Sequence, residues 1–319
     1  MNEAVVATGQ PVIPVWRTAK AAYRLGFGAV FGDFAMFRYF LYAGFLAFLV
    51  AAGHLYLAGL NMQIVAQPAV QPTDAATPLL QLGADLLLDV VLAFALAPFG
   101  VAMQRKVLLQ ESPKGFYIRG AVAPPGRRFF LATLFVLAIN QLITLTLVPV
   151  VYFLYGVNAL NPAALTSAYR SNHAMMVTAT LVTYASLLVA AVIMARCSLL
   201  FPTAAVDRPG PWFREAIREA RGTTARLFWL FTLVCIPAVI AVIVDALVAS
   251  IAFAVPRLVA HTNPQQLRSE MIFSTPFLIL YASMFVIAML LMAVIAAGAA
   301  RAYEIRVNYD MSRVAEVFS

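Results

Sequence analysis

The sequence predicts an all-α protein of the polytopic membrane class, a bundle of six transmembrane helices arranged as three hairpins with amphipathic segments between them. Three observations carry this. Of the 319 residues, 63% are hydrophobic and only 11% charged, against about 45–50% and about 25% in a soluble domain. Several apolar runs reach the roughly 20 residues that a helix needs to cross a bilayer. Similar residue groups also recur at near-constant spacing along the chain. Charges are too few to cover a water-facing surface of this size. A soluble globular domain and a disordered or collagen-like chain are thereby excluded.

Residues 1–16 read as a flexible N-terminus without a cleavable signal. They have no basic region, and Pro11 and Pro14 interrupt any apolar core. Residues 17–300 form one membrane domain. Its expected spans are Phe37–Leu60, Pro78–Met103, Phe129–Gly156, Ala174–Arg196, Leu227–Val255 and Phe273–Ala300. Residues 301–319 form a cytoplasmic tail. The connectors alternate: 61–77, 157–173 and 256–272 are short and poor in cations, whereas 104–128 and 197–226 are longer and basic.

Orientation follows from the cations. Of the 22 Lys and Arg, nineteen lie in the N-terminal segment, the two basic connectors and the tail. Only Arg170, Arg257 and Arg268 fall on the other side. Both termini are therefore expected in the cytoplasm. The net charge of +8 reports topology, and a nucleic-acid partner is not expected.

The repeat shows at both ends of the hairpins. Odd spans open on Arg38-Tyr39-Phe40-Leu41, Arg128-Phe129-Phe130-Leu131 and Arg226-Leu227-Phe228-Trp229. Even spans close on Met103-Gln104-Arg105, Met194-Ala195-Arg196 and, more loosely, Ala299-Ala300-Arg301. The opening arginines are 90 and 98 residues apart, the closing ones 91 and 105. Gly28-Ala29-Val30 and Gly120-Ala121-Val122 precede the first two openings. Three hairpins running the same way across the membrane would be parallel repeats. All six arginines are candidate contacts for lipid headgroups.

Two amphipathic segments stand out. Tyr23, Phe27, Phe31 and Phe34 fall at helical spacing on one face. After Pro209-Gly210-Pro211, a helix from Trp212 to about Arg221 would align Phe213, Ala216, Ile217 and Ala220 opposite its charges. Each segment reads equally as an interfacial helix against headgroups or as a connector packed under the bundle.

Asp85 and Asp89 on the second span and Asp245 on the fifth are ionisable groups at membrane depth. Such groups cost about 2.5–3.5 kcal/mol each on insertion scales and are candidate ion or ligand sites. Asn140 and Gln141 add polar groups on the third span. The alternative is that each carboxyl is hydrogen-bonded and fixes helix packing. His54, His173 and His261 lack the spacing of familiar zinc sites. Cys197 and Cys235 lie at different depths. Pro98, Pro149 and Pro237 are expected to kink their spans, whereas Pro276 sits in a first turn. No phosphate loop, hydrolase elbow or metalloprotease signature is present, and no cofactor is expected.

The run Met194-Ala195-Arg196-Cys197-Ser198-Leu199-Leu200-Phe201-Pro202-Thr203-Ala204-Ala205-Val206-Asp207, followed by Gly222 and Arg226-Leu227-Phe228-Trp229, carries a family likeness. So does the closing Ala299-Ala300-Arg301-Ala302-Tyr303. The chain resembles the six-helix membrane domain found beside bacterial glycerophosphodiester phosphodiesterases, and related stand-alone membrane proteins. The resemblance implies a bacterial inner-membrane protein associated with glycerolipids. The phosphodiesterase is a separate barrel (such barrels take about 250 residues) with no counterpart here, so its activity does not carry over. The expected function is non-enzymatic: binding or organising lipid, or serving a lipid-handling or envelope system as a membrane partner. The alternative is a small transporter or channel component working through the three aspartates.

Overall fold

The computed structural model describes residues 12–66, 76–145, 173–206, 211–259 and 275–307. These are helical almost throughout and contain no strand. In chain order the helices are α1 (Val15–Gly32), α2 (Phe34–Ala66), α3 (Ala76–Leu109), α4 (Tyr117–Val122) and α5 (Pro124–Leu145). There follow α6 (His173–Cys197), α7 (Leu200–Ala205), α8 (Trp212–Glu219), α9 (Thr224–Val259) and α10 (Thr275–Val307). Five of them, α2, α3, α6 with α7, α9 and α10, contain stretches long and apolar enough to cross a membrane. The protein is thus a multi-pass helical membrane protein. The expected third span begins in α5, and residues 146–156 lie outside the described residues. Helix α10 continues past Ala300 to Val307, into the segment read as a tail.

Surface composition fits a lipid solvent. Helix α9 exposes Val239, Ile240, Val244, Leu247, Val248 and Ile251, an apolar belt that a water-soluble monomer rarely carries. The interior, by contrast, is rich in alanine: Ala22, Ala43, Ala97, Ala293, Ala297 and Ala300 are all buried. Lipid tails are as apolar as leucine, so helices gain most where small residues let backbones approach.

One close approach of this kind joins the first described helix to the last. Helix α1 lies against α9 and α10. A methyl group on Gly26 would stand 3.0 Å from Val294 Cα, and one on Gly298 would stand 3.3 Å from Ala22 Cβ. The small face of α1, with Ala19, Ala22, Gly26 and Ala29, is buried. Its aromatic face stays outside: Phe27 and Phe31 are exposed and stack in sequence on Tyr23. Helix α1 is therefore packed along its small face and presents a row of aromatic rings on the other. Phe34 departs from the expected stripe, because Asp33 is extended (φ −134°, ψ 114°) and ends α1, so Phe34 opens α2. Helix α8 is a packed connector: Ala216 is buried, and Phe213 meets Phe135 of α5 edge-on at 4.8 Å.

The helix pairs close on one another. Helix α3 packs against α2, α5 and α10, and α9 packs against α6 and α10. Helices α4 and α7 tuck under α3 and α5 at the end of the bundle that carries the basic connectors. There Arg306, in the last turn of α10, donates to the carbonyls of Glu219 and Arg221, both at 2.9 Å. A cation thus satisfies the open C-terminus of α8.

Candidate functional site

At this basic end, α2, α3, α4 and α5 enclose an open cavity of about 740 Å³. Tyr39 of α2, Pro98, Val101 and Ala102 of α3, and Pro125 of α5 supply apolar wall. Arg105, Glu111, Ser112 and Lys114 supply its polar mouth. Volumes of about 300–1,000 Å³ are usual for small-molecule sites.

The mouth is shaped by the connector that leaves α3. Gln110 has φ +56°, the left-handed conformation that ends many helices and normally takes glycine; other residues pay about 1–2 kcal/mol there. Its side chain donates to Val107 O at 3.3 Å. Gly115 has φ +83°, where glycine carries no such cost. Between these two positions the chain folds back as a strap over the last turn of α3. The Arg105 guanidinium meets Glu111 Oε2 through Nη2 at 2.6 Å and Nε at 3.0 Å, and donates through Nη1 to Ala205 O at 3.1 Å.

The other anchor of the strap is Asp33. Its Oδ1 accepts from the backbone N–H groups of Ala35 at 2.9 Å and Met36 at 3.4 Å, capping α2. Its Oδ2 accepts from Lys106 Nζ at 2.7 Å and from the Ser112 hydroxyl. Lys106 and then Ser112 do most to stabilise the charged form; desolvation opposes them, and the two capping N–H groups add smaller support. The carboxyl is held down at about 2.

Tyr117 forms the back of the site. Pro98 removes one N–H from the α3 ladder. The buried Tyr117 hydroxyl donates to Ala95 O at 2.6 Å. Pro237 has a similar partner, since Tyr23 of α1 donates to Val234 O at 2.6 Å. Each tyrosine takes the carbonyl three residues before a helix proline.

Two of the three aspartates expected at membrane depth have described side chains, and they are held in separate helix pairs. Gln141 Nε2 of α5 donates to Asp89 Oδ2 of α3 at 3.3 Å. The Ser283 hydroxyl of α10 donates to Asp245 of α9. The side chains of Asp85, Asn140, His54 and His173, and all of His261, lie outside the described residues. Cys197 and Cys235 are free thiols.

The six arginines also have different surroundings. Arg105 pairs with Glu111, and Arg301 with Glu304 one turn on. Arg38 and Arg196 are exposed, whereas Arg128 and Arg226 are half-buried.

Sequence reasoning passed over Asp33, Glu111, Ser112 and Tyr117. Asp33 carried a readable signal, an Asp directly before the apolar run Phe34-Ala35-Met36. Tyr117 carried none, because its partner lies on another helix. No protein family, curated protein or solved structure matches this chain.

Proposed function

We propose that the chain is a six-span protein of a bacterial inner membrane that binds or organises phospholipid and catalyses no reaction. In this reading both termini and both basic connectors are cytoplasmic. The observation that carries it is the cavity, with apolar walls from Tyr39 to Pro125 and Arg105 and Lys114 at its mouth. That order of surfaces suits an amphiphile with an anionic head. The exposed aromatic face of α1 supports it, since Phe27 and Phe31 would rest at headgroup level.

The threefold repeat belongs to the same proposal. Helices α1 and α4 both carry Gly-Ala-Val near their C-termini and each hands over, across one residue, to an apolar helix. A kinship with the membrane domain of glycerophosphodiester phosphodiesterases, resting on residues 194–207, would place the protein near glycerolipid handling. The cross-helix bonds of Asp89 and Asp245 support a packing role for these carboxyls over an ion path.

Native mass spectrometry of gently extracted protein tests the reading. Retention of particular phospholipids is expected. Recovery of the bulk membrane mixture in bulk proportions overturns it.

A further inference from the structure

We infer that Arg105 is the site for the phosphate of an anionic phospholipid, and that Glu111 is an internal carboxylate occupying it until the lipid arrives. The inference rests on the lipid-binding reading and adds to it the group recognised and the group displaced.

Arg105 and Glu111 both line the cavity, so their pair stands where a bound head would lie. Nε and Nη2 form the planar edge of the guanidinium that matches two oxygens of a carboxylate or phosphate. Here both bonds fall on one oxygen, Glu111 Oε2. A phosphodiester could place one oxygen on each nitrogen. Glu111 is half exposed, with 51% of its side chain open to solvent, against 31% for Arg105. Its carboxylate can therefore swing into water without leaving a buried charge behind.

The strap provides for that exchange. The left-handed turn at Gln110 directs Glu111 back onto Arg105. Ser112, one residue further on, is bound to both Asp33 and Lys106. Displacement of Glu111 then requires a side-chain rotation while the strap stays anchored at Ser112. Charge favours the exchange as well. Arg105 and Lys114 outnumber Glu111 at the mouth, and removing the carboxylate from the pocket raises its attraction for an anion. The third guanidinium bond, Nη1 to Ala205 O, holds the head of Arg105 in place throughout.

The test uses the full chain in detergent, with dihexanoyl-phosphatidylglycerol as probe and native mass spectrometry to read the fraction bound. Releasing Arg105 from a partly exposed ion pair is worth about 0.4–1 kcal/mol, within the range of such pairs, so Glu111→Gln should tighten binding roughly two- to fivefold. Arg105→Gln should weaken it about tenfold or more, and Glu111→Gln should have no effect in the Arg105→Gln background. Melting temperature is read for every variant; Glu111, being exposed, can be replaced without loss of the fold.

Unchanged binding on Glu111→Gln overturns the inference while leaving lipid binding intact. Lipid retention that ignores both residues does the same, and failure of the unaltered chain to retain any lipid overturns the lipid reading itself. Inorganic phosphate, offered as competitor, is expected to displace the lipid only at far higher concentration. Equal competition overturns the phospholipid as the source of the phosphate.

Discussion

Two glycine-to-alanine changes should move the stability of this protein in opposite directions. Gly126 is buried in the first turn of α5, where α4 and α5 meet in a tight corner. A Cβ there would overlap the Gly120 carbonyl oxygen and stand 2.7 Å from Ala121 O and 2.9 Å from Ala121 C. These are backbone atoms of α4, so no rotamer change relieves the overlap and the corner must open. Overpacking of this kind costs about 1–3 kcal/mol. Gly28 sits on the exposed side of α1 with nothing within 4 Å of the same added carbon. Replacing a helical glycine by alanine gains about 0.5–1 kcal/mol where there is room. That gain applies in part to Gly126→Ala too, leaving a net loss of about 1–2 kcal/mol. In thermal unfolding of the detergent-solubilised protein, with roughly 2–4 °C per kcal/mol, Gly126→Ala should melt several degrees below the unaltered chain. Gly28→Ala should melt a degree or more above it. A Gly126→Ala variant at or above the unaltered melting temperature refutes the close corner, and the wall it gives the cavity.

Tyr117→Phe leaves the buried Ala95 carbonyl without its phenol, a loss of about 1–3 kcal/mol readable in the same melting assay; an unchanged temperature would mean the bond contributes nothing. The Asp33 carboxyl is depressed from 3.8 to about 2, so its stabilisation is complete above pH 4 and is lost as pH falls towards 2. Asp33→Asn should therefore flatten the fall in melting temperature over that window, and parallel curves would contradict the assignment. Arg306→Gln should raise hydrogen exchange across residues 212–221, because the α8 carbonyls lose their cation; unaltered exchange there would remove that role. Reporter fusions after Asp74, Arg170 and His261 should read extracytoplasmic and those after Lys114 and Gly210 cytoplasmic, and any reversal breaks the six-span topology.

The apolar segments were readable because crossing a bilayer depends on local composition, and α2, α3, α6, α9 and α10 all overlap the runs expected. Their ends were less so. The start of α2 at Phe34 was set by the Asp33 cap and not by Phe37, where the expected span began. That Asp89 and Asp245 fall within long apolar helices was readable, but their partners were not, since Gln141 and Ser283 reach them from other helices. The same reason hid the strap. Glu111 and Ser112 look like ordinary polar connector residues until the fold brings Arg105, Lys106 and Asp33 beneath them. Local preference names the helix; distant contacts decide what its polar residues do.

The seating of α1 between α9 and α10 imposes an order on synthesis. Helix α1 leaves the ribosome before α10, yet the Ala22–Gly26 face it must bury is covered by Val294 and Gly298, near the far end of the chain. At about 5–20 residues per second, α1 waits on the order of ten seconds to a minute for its partner. During that interval Phe27 and Phe31 can hold it at the membrane surface. The outward aromatic face would then keep the earliest helix from wandering before the last one closes the bundle.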